Sequence, residues 1–179
     1  MMIYNIIMKI VTTPMCEEIV RLAGIDDYVI NKFPQKDDGD LVVLLSESRV
    51  DMPALRIKIN TPSQIFESIM EVSRLTSNEL DGDEISSFFD DYEICKKYLN
   101  CNIKRKINVK VYSEFLKDIV SDMGFNMVSD DYRYVIYPDY MKDEVLETDN
   151  LVEIPSHNEI SKNPFKKAEL RYGILENLI

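Results

Sequence analysis

Residues 8–24 read Met8-Lys9-Ile10-Val11-Thr12-Thr13-Pro14-Met15-Cys16-Glu17-Glu18-Ile19-Val20-Arg21-Leu22-Ala23-Gly24. Positions 6–11 are nearly all apolar, as in a strand covered on both faces. At Thr12-Thr13-Pro14 the spacing changes, and Met15, Ile19, Leu22 and Ala23 recur at helical intervals. Threonine followed by proline predicts a capped helix start there. Glu17 and Glu18 stand where the helix dipole favours carboxylates, and Gly24 supplies a left-handed stop.

The same order returns one hundred positions later. Asn108-Val109-Lys110-Val111-Tyr112 predicts a strand, Ser113 a cap, and Phe115, Leu116, Ile119, Val120 and Met123 a helix that Gly124 stops. Further strands are expected at 27–30, 40–45, 55–59, 133–137 and 151–154, the third alternating as an edge strand does. Thr61-Pro62-Ser63-Gln64 opens a helix with Ile65, Phe66, Ile69, Val72 and Leu75 inward, and Asn163-Pro164 opens a terminal helix. Asp83 caps one more, carrying Ile85, Phe88, Phe89, Tyr92, Cys95 and Leu99 on a single stripe. The predicted fold is α/β, with two small parallel-sheet, Rossmann-like β/α halves joined by a helix. The expected divisions are residues 1–78, a connecting helix and basic loop at 79–106, and residues 107–179.

The chain has 179 residues, 45% hydrophobic and 30% charged, a globular balance that excludes wholesale disorder. Its net charge of -11 repels nucleic acid duplexes and anionic membranes on average. No run approaches the roughly 20 apolar residues of a membrane span. Lys9 follows the first apolar stretch instead of preceding it, unlike a secretory signal, and the 3 cysteines fit reduced thiols. A cytoplasmic location is therefore expected. The Ile-, Asp- and Tyr-rich composition suits an archaeal, methanogen-associated protein.

Parallel α/β sheets bind ligands beyond the carboxyl ends of their strands. That rule selects Thr12, Thr13, Ser46, Glu47 and Ser48 in the first half, and Tyr112, Ser113, Tyr137 and His157 in the second. Hydroxyls and helix N-termini would take anionic groups of a ligand, and tyrosine rings its apolar body. At Thr12-Thr13-Pro14 and Thr61-Pro62-Ser63 taken alone, ordinary capping is preferred. Asp37, Asp38 and Asp40 read as a solvated loop, since they lack the spacing of a calcium loop. Cys95 and Cys101 lack the second pair a zinc site wants, and His157 reads first as a surface residue. Lys104, Arg105 and Lys106 read as a solvated linker offset by the acidic stretch 81–93.

Residues 8–75 also carry a resemblance. The Met8-to-Pro14 opening, the Leu22-Ala23-Gly24-Ile25 helix end, Gly39-Asp40-Leu41-Val42-Val43, and the run from Leu55 to Pro62 are similar to the N-terminal lobe of cobalamin- and iron-chelate-binding proteins. These belong to the helical-backbone class of substrate-binding proteins. The chain departs from them in lacking an export signal and the long helix at full length. The resemblance implies two α/β lobes around a cleft, and a metal chelate or tetrapyrrole as conceivable cargo.

The first expectation is thus a non-catalytic cytosolic protein that binds a small ligand or metal-cofactor between its lobes. The alternative is an accessory subunit docking on a larger protein assembly through an acidic, Tyr-rich surface, formed by the acidic helix after residue 81 and by Tyr132, Tyr134, Tyr137 and Tyr140 with Asp130, Asp131 and Asp139. An enzyme ranks third, because no set of acid, base and nucleophile stands out.

Overall fold

The computed structural model of the chain describes residues 8–77, 79–156 and 160–179. It forms an α/β fold that divides into two compact units. The first comprises the described residues through Ile59 together with Phe66–Ser87, and the second comprises Asn60–Ile65 and Phe88–Ile179.

The first unit contains β1 (Ile10–Thr12), α1 (Glu17–Leu22), β2 (Tyr28–Ile30), β3 (Leu41–Leu45) and β4 (Ala54–Ile57). Helix α2 (Pro62–Ser73) passes from the second unit into the first, which also holds α3 (Gly82–Ser87). The second contains α4 (Glu93–Tyr98), β5 (Asn108–Val111), α5 (Glu114–Asp122), β6 (Asn126–Met127), β7 (Tyr134–Pro138), β8 (Leu151–Ile154) and α6 (Pro164–Glu176).

Each unit has one sheet of four parallel strands, in the order β2-β1-β3-β4 and β6-β5-β7-β8. The central strands carry the core because both of their faces are covered. Val11, Val42, Val43 and Leu44 are buried in the first sheet, and Val109, Val135 and Ile136 in the second. Burying each such side chain contributes about 1.5–3 kcal/mol. The helix stripes seen in the sequence face these cores: Ile19 and Val20 from α1, and Leu116, Ile119 and Val120 from α5, are buried.

Three local expectations are corrected. Helix α1 starts three residues after Pro14, with Cys16 at its N-cap and no side-chain cap bond. The Thr13 carbonyl accepts from the Cys16 N–H at 2.9 Å, so a turn intervenes between strand and helix. The helix expected across Ile85 to Leu99 is two short ones. Between them the Tyr92 N–H donates to the Phe89 carbonyl at 3.0 Å, and both rings pack on Phe165, one edge-on and one stacked. Strand and helix do not alternate throughout, because β3 reaches β4 through residues 46–53 without a helix. Strand β6 is two exposed residues, too short to show periodicity. No helix among the described residues is long and apolar enough to cross a membrane.

Candidate functional site

In the first unit the carboxyl ends of β1 and β3 lie side by side, and the Thr13 N–H donates to the Val43 carbonyl at 3.4 Å. Thr12 is completely buried, and its hydroxyl donates to the Val43 carbonyl at 3.1 Å, so it fastens β1 to β3. Thr13 is half-buried in the turn before α1. Ser46 donates to its neighbour Glu47 at 3.0 Å, and the Ser48 carbonyl accepts from the Arg56 guanidinium. Ser46 and Ser48 are half-buried and Glu47 is exposed. This edge is therefore a short polar rim of Thr13, Ser46, Glu47 and Ser48 above a hydroxyl-tied strand pair. Asp38 accepts from the Asn31 amide at 2.8 Å and the Gln35 N–H at 2.7 Å, and Asp40 from the Lys9 N–H at 2.7 Å. Those carboxylates hold their own loop.

In the second unit the edge is larger. Tyr112 follows β5, and its N–H donates to the Ile136 carbonyl at 3.0 Å. Ser113 caps α5 by accepting from the Leu116 N–H at 3.4 Å. Tyr137 is buried on β7, and its hydroxyl donates to Glu153 on the neighbouring strand at 3.3 Å. Burial and the Glu153 carboxylate push the Tyr137 phenol up. At the end of β7, Asp139 accepts from the Ser156 N–H at 3.1 Å and from the Ser156 hydroxyl, which joins the ends of β7 and β8. His157 lies outside the described residues.

Two side chains that sequence reasoning passed over fasten the second unit, Arg171 at this edge and Glu147 over β5 and toward the amino ends of β7 and β8. Arg171 of α6 is buried, donates to the Pro155 carbonyl at 3.0 Å and the Ser156 carbonyl at 2.6 Å, and stacks on Phe115. Burial pulls its guanidinium down to about 10, against the opposing pull of Asp139. Its signal was its place on the stripe of Phe165, Ala168, Tyr172 and Leu175. Glu147 had no such signal, being one acid among several in a loop. It accepts from Lys110 at 2.6 Å and from the Tyr112 hydroxyl at 2.8 Å, and lies 3.5 Å from the Tyr132 hydroxyl. The Lys110 hydrogen bond is the main reason its carboxyl is held down to about 2. A surface hollow of about 280 Å³ runs beside it, lined by Tyr132, Arg133 and residues 147–150.

The tyrosines divide. Tyr112 and Tyr132 belong to the Glu147 cluster, Tyr134 stacks with Arg133, and Tyr140 is 58% exposed. Among the described residues no three His, Cys, Asp or Glu side chains come together in a group that could hold a metal ion. Cys95 is buried, and burial followed by Glu169 pushes its thiol up.

This arrangement defines a class by fold: an α/β chain of two four-stranded parallel units of like strand order. It is similar to the laminin-binding protein Lbp of Streptococcus pyogenes at 11% identity and a TM-score of 0.55, over 96% of this chain and 99% of that one. It is likewise similar to the Zn(II)-bound H205L variant of AdcAII of Streptococcus pneumoniae, at 13% and 0.56 over 95% and 98%. A third likeness is to the laminin-binding adhesin Lmb of Streptococcus agalactiae, at 10% and 0.57 over 95% and 98%. No protein-family model matches the chain, and no curated protein matches it significantly.

Proposed function

We propose that the chain is a non-catalytic, cytosolic solute-binding protein that takes a small ligand at the carboxyl edges of its sheets. The observation that supports this most is the polar rim there: Thr13, Ser46, Glu47 and Ser48 on one sheet, Tyr112, Ser113 and Tyr137 with Asp139 and Ser156 on the other. Parallel sheets concentrate helix N-termini and loop hydroxyls at that edge, which suits a ligand with anionic groups around an apolar body. A metal chelate or tetrapyrrole has that chemistry, and a chelate brings its own ligands to the metal. The solved structures similar in fold, one of them Zn(II)-bound, are compatible with a solute-binding role.

The test is a thermal-shift series on the full chain with hemin, cyanocobalamin, a ferric tris-catecholate and zinc chloride. One of these should raise the melting temperature, and Thr13→Ala with Ser46→Ala should reduce that rise while leaving the unliganded melting temperature in place. No shift with any probe, or a shift indifferent to both variants, would count against the reading.

A second reading rests on a different observation. Tyr140 and Leu146 are 58% and 88% exposed within an acidic stretch that includes Asp139, Asp143 and Glu144. An apolar and acidic surface of this kind suits an accessory subunit. If one defined protein co-purifies in stoichiometric amount and Tyr140→Ser with Leu146→Ser releases it, this second reading is favoured.

A further inference from the structure

A hollow lies at the other end of the second sheet. It measures about 540 Å³ and is lined by residues 102–106, Asn108, Ser121 and residues 124–126. These residues precede β5, end α5 and begin β6, so the hollow sits at the amino edge. Its charged lining residues are all cations, Lys104, Arg105 and Lys106, in a chain where acids outnumber bases 32 to 21. An adjoining hollow shares Lys106 and Asn108 and adds Arg133 and a single carboxylate, Asp131.

The helix end beside this hollow would by itself favour a cation. Arg105 already fills that role. Its backbone N–H donates to the Gly124 carbonyl at 2.7 Å and its Nε to the Met123 carbonyl at 2.9 Å, while a third donor reaches the Tyr98 hydroxyl at 3.2 Å. Lys104 and Lys106 are exposed, and among the described residues neither side chain has a hydrogen bond or ion pair. Within the acidic stretch 81–93, Asp90 pairs with Lys96 at 2.6 Å, and Asp81 accepts from the N–H groups of Asp83 and Glu84.

Backbone geometry holds the basic loop in place. Gly124 has φ +78°, and a Cβ there would stand 2.0 Å from the Ile103 carbonyl oxygen, so the loop rests directly on the helix end. Gly24, its counterpart at φ +80°, has nothing within 4 Å. The feature therefore belongs to one unit and is not required by the strand order they share.

We propose that this hollow binds a compact polyanion carrying two or more adjacent charges, of the class of pyrophosphate or a tricarboxylate. A hollow of this volume suits a small molecule, and the net charge of -11 weighs against extended nucleic acid as its occupant. Arg105, locked by three bonds, orients the site, and Lys104 and Lys106 supply the free charge.

The test is calorimetric titration of the full chain with sodium pyrophosphate and, separately, with citrate, at low and at physiological salt. At least one should bind with one site per chain. Lys104→Gln with Lys106→Gln should weaken it tenfold or more, and Lys162→Gln with Lys166→Gln should not. Binding that weakens with salt in the wild type should weaken less in the first double variant. Absence of binding to both probes at millimolar concentration, or equal binding by both double variants, would overturn the proposal. Thr13→Ala should leave this binding unchanged, which separates failure here from failure at the carboxyl edges.

Discussion

The two units share a plan and differ in how it is held. At an offset of one hundred positions their first helices end alike. The N–H groups of Ala23, Gly24 and Ile25 donate to Ile19, Arg21 and Val20, and those of Met123, Gly124 and Phe125 donate to Ile119, Ser121 and Val120. Both glycines take the left-handed conformation. The starts differ. Ser113 caps α5 with its side chain, whereas Thr13 is separated from α1 by a turn, and α1 has 6 residues against 9. The strand connections differ too: 46–53 crosses simply, while the longer one in the second unit carries a 3-10 helix (Asp139–Glu144) and is clamped by Glu147 on Lys110 and Tyr112. Strand order is thus met by more than one set of local bonds, and the second unit has more side-chain fastenings around its first strand and helix.

Substitutions at equivalent positions sharpen that contrast. Gly124→Ala should have the largest effect, on the order of 4 kcal/mol from a strained left-handed alanine plus backbone overlap with Ile103. Gly24→Ala meets no neighbour and should cost only the conformational strain, about 1–2 kcal/mol. Urea unfolding of both variants checks the order, and equal losses would break the claim that the basic loop rests on Gly124. Ser113→Ala should cost about 1 kcal/mol through its lost cap. Hydrogen exchange should report the loss at the first turn of α5.

A further contrast is in acid. Glu147 is held well below its ordinary 4.5, so its contribution to stability is present above about pH 4.5 and is lost as pH falls toward 2. Near-ultraviolet circular dichroism of the tyrosines should follow release of this clamp, and Glu147→Gln should remove that part of the acid transition. The smallest effect belongs to Thr13→Ala, within about 0.5 kcal/mol in urea unfolding, because its hydroxyl caps no helix.

Much of this plan was legible because it rests on local chemistry. Continuous apolar runs marked Val42 to Leu44 and Val135 to Ile136 as covered strands, and the glycines marked both helix ends. The cap at Thr13 was misread because serine or threonine before a helical pattern looks the same whether its hydroxyl faces a backbone N–H or its carbonyl closes a turn. The break after Ser87 was hidden because the stripe from Ile85 to Leu99 keeps helical spacing, while the Phe165 ring on which Phe89 and Tyr92 pack lies far along the chain. Thr12 was legible as a strand-end residue, but its inward hydroxyl depends on the register with Val43. Glu147 and Arg171 act across 37 and 15 residues of sequence, a distance that local pattern does not span.

Native mass spectrometry of the chain purified gently from its own host, with an absorbance and metal scan of the same sample, tests solute binding at the carboxyl edges most directly. The account predicts a retained small mass or chromophore, lost from Thr13→Ala with Ser46→Ala although that variant unfolds at the wild-type urea concentration. A bare chain, or a bound mass that both substitutions leave in place, would contradict it.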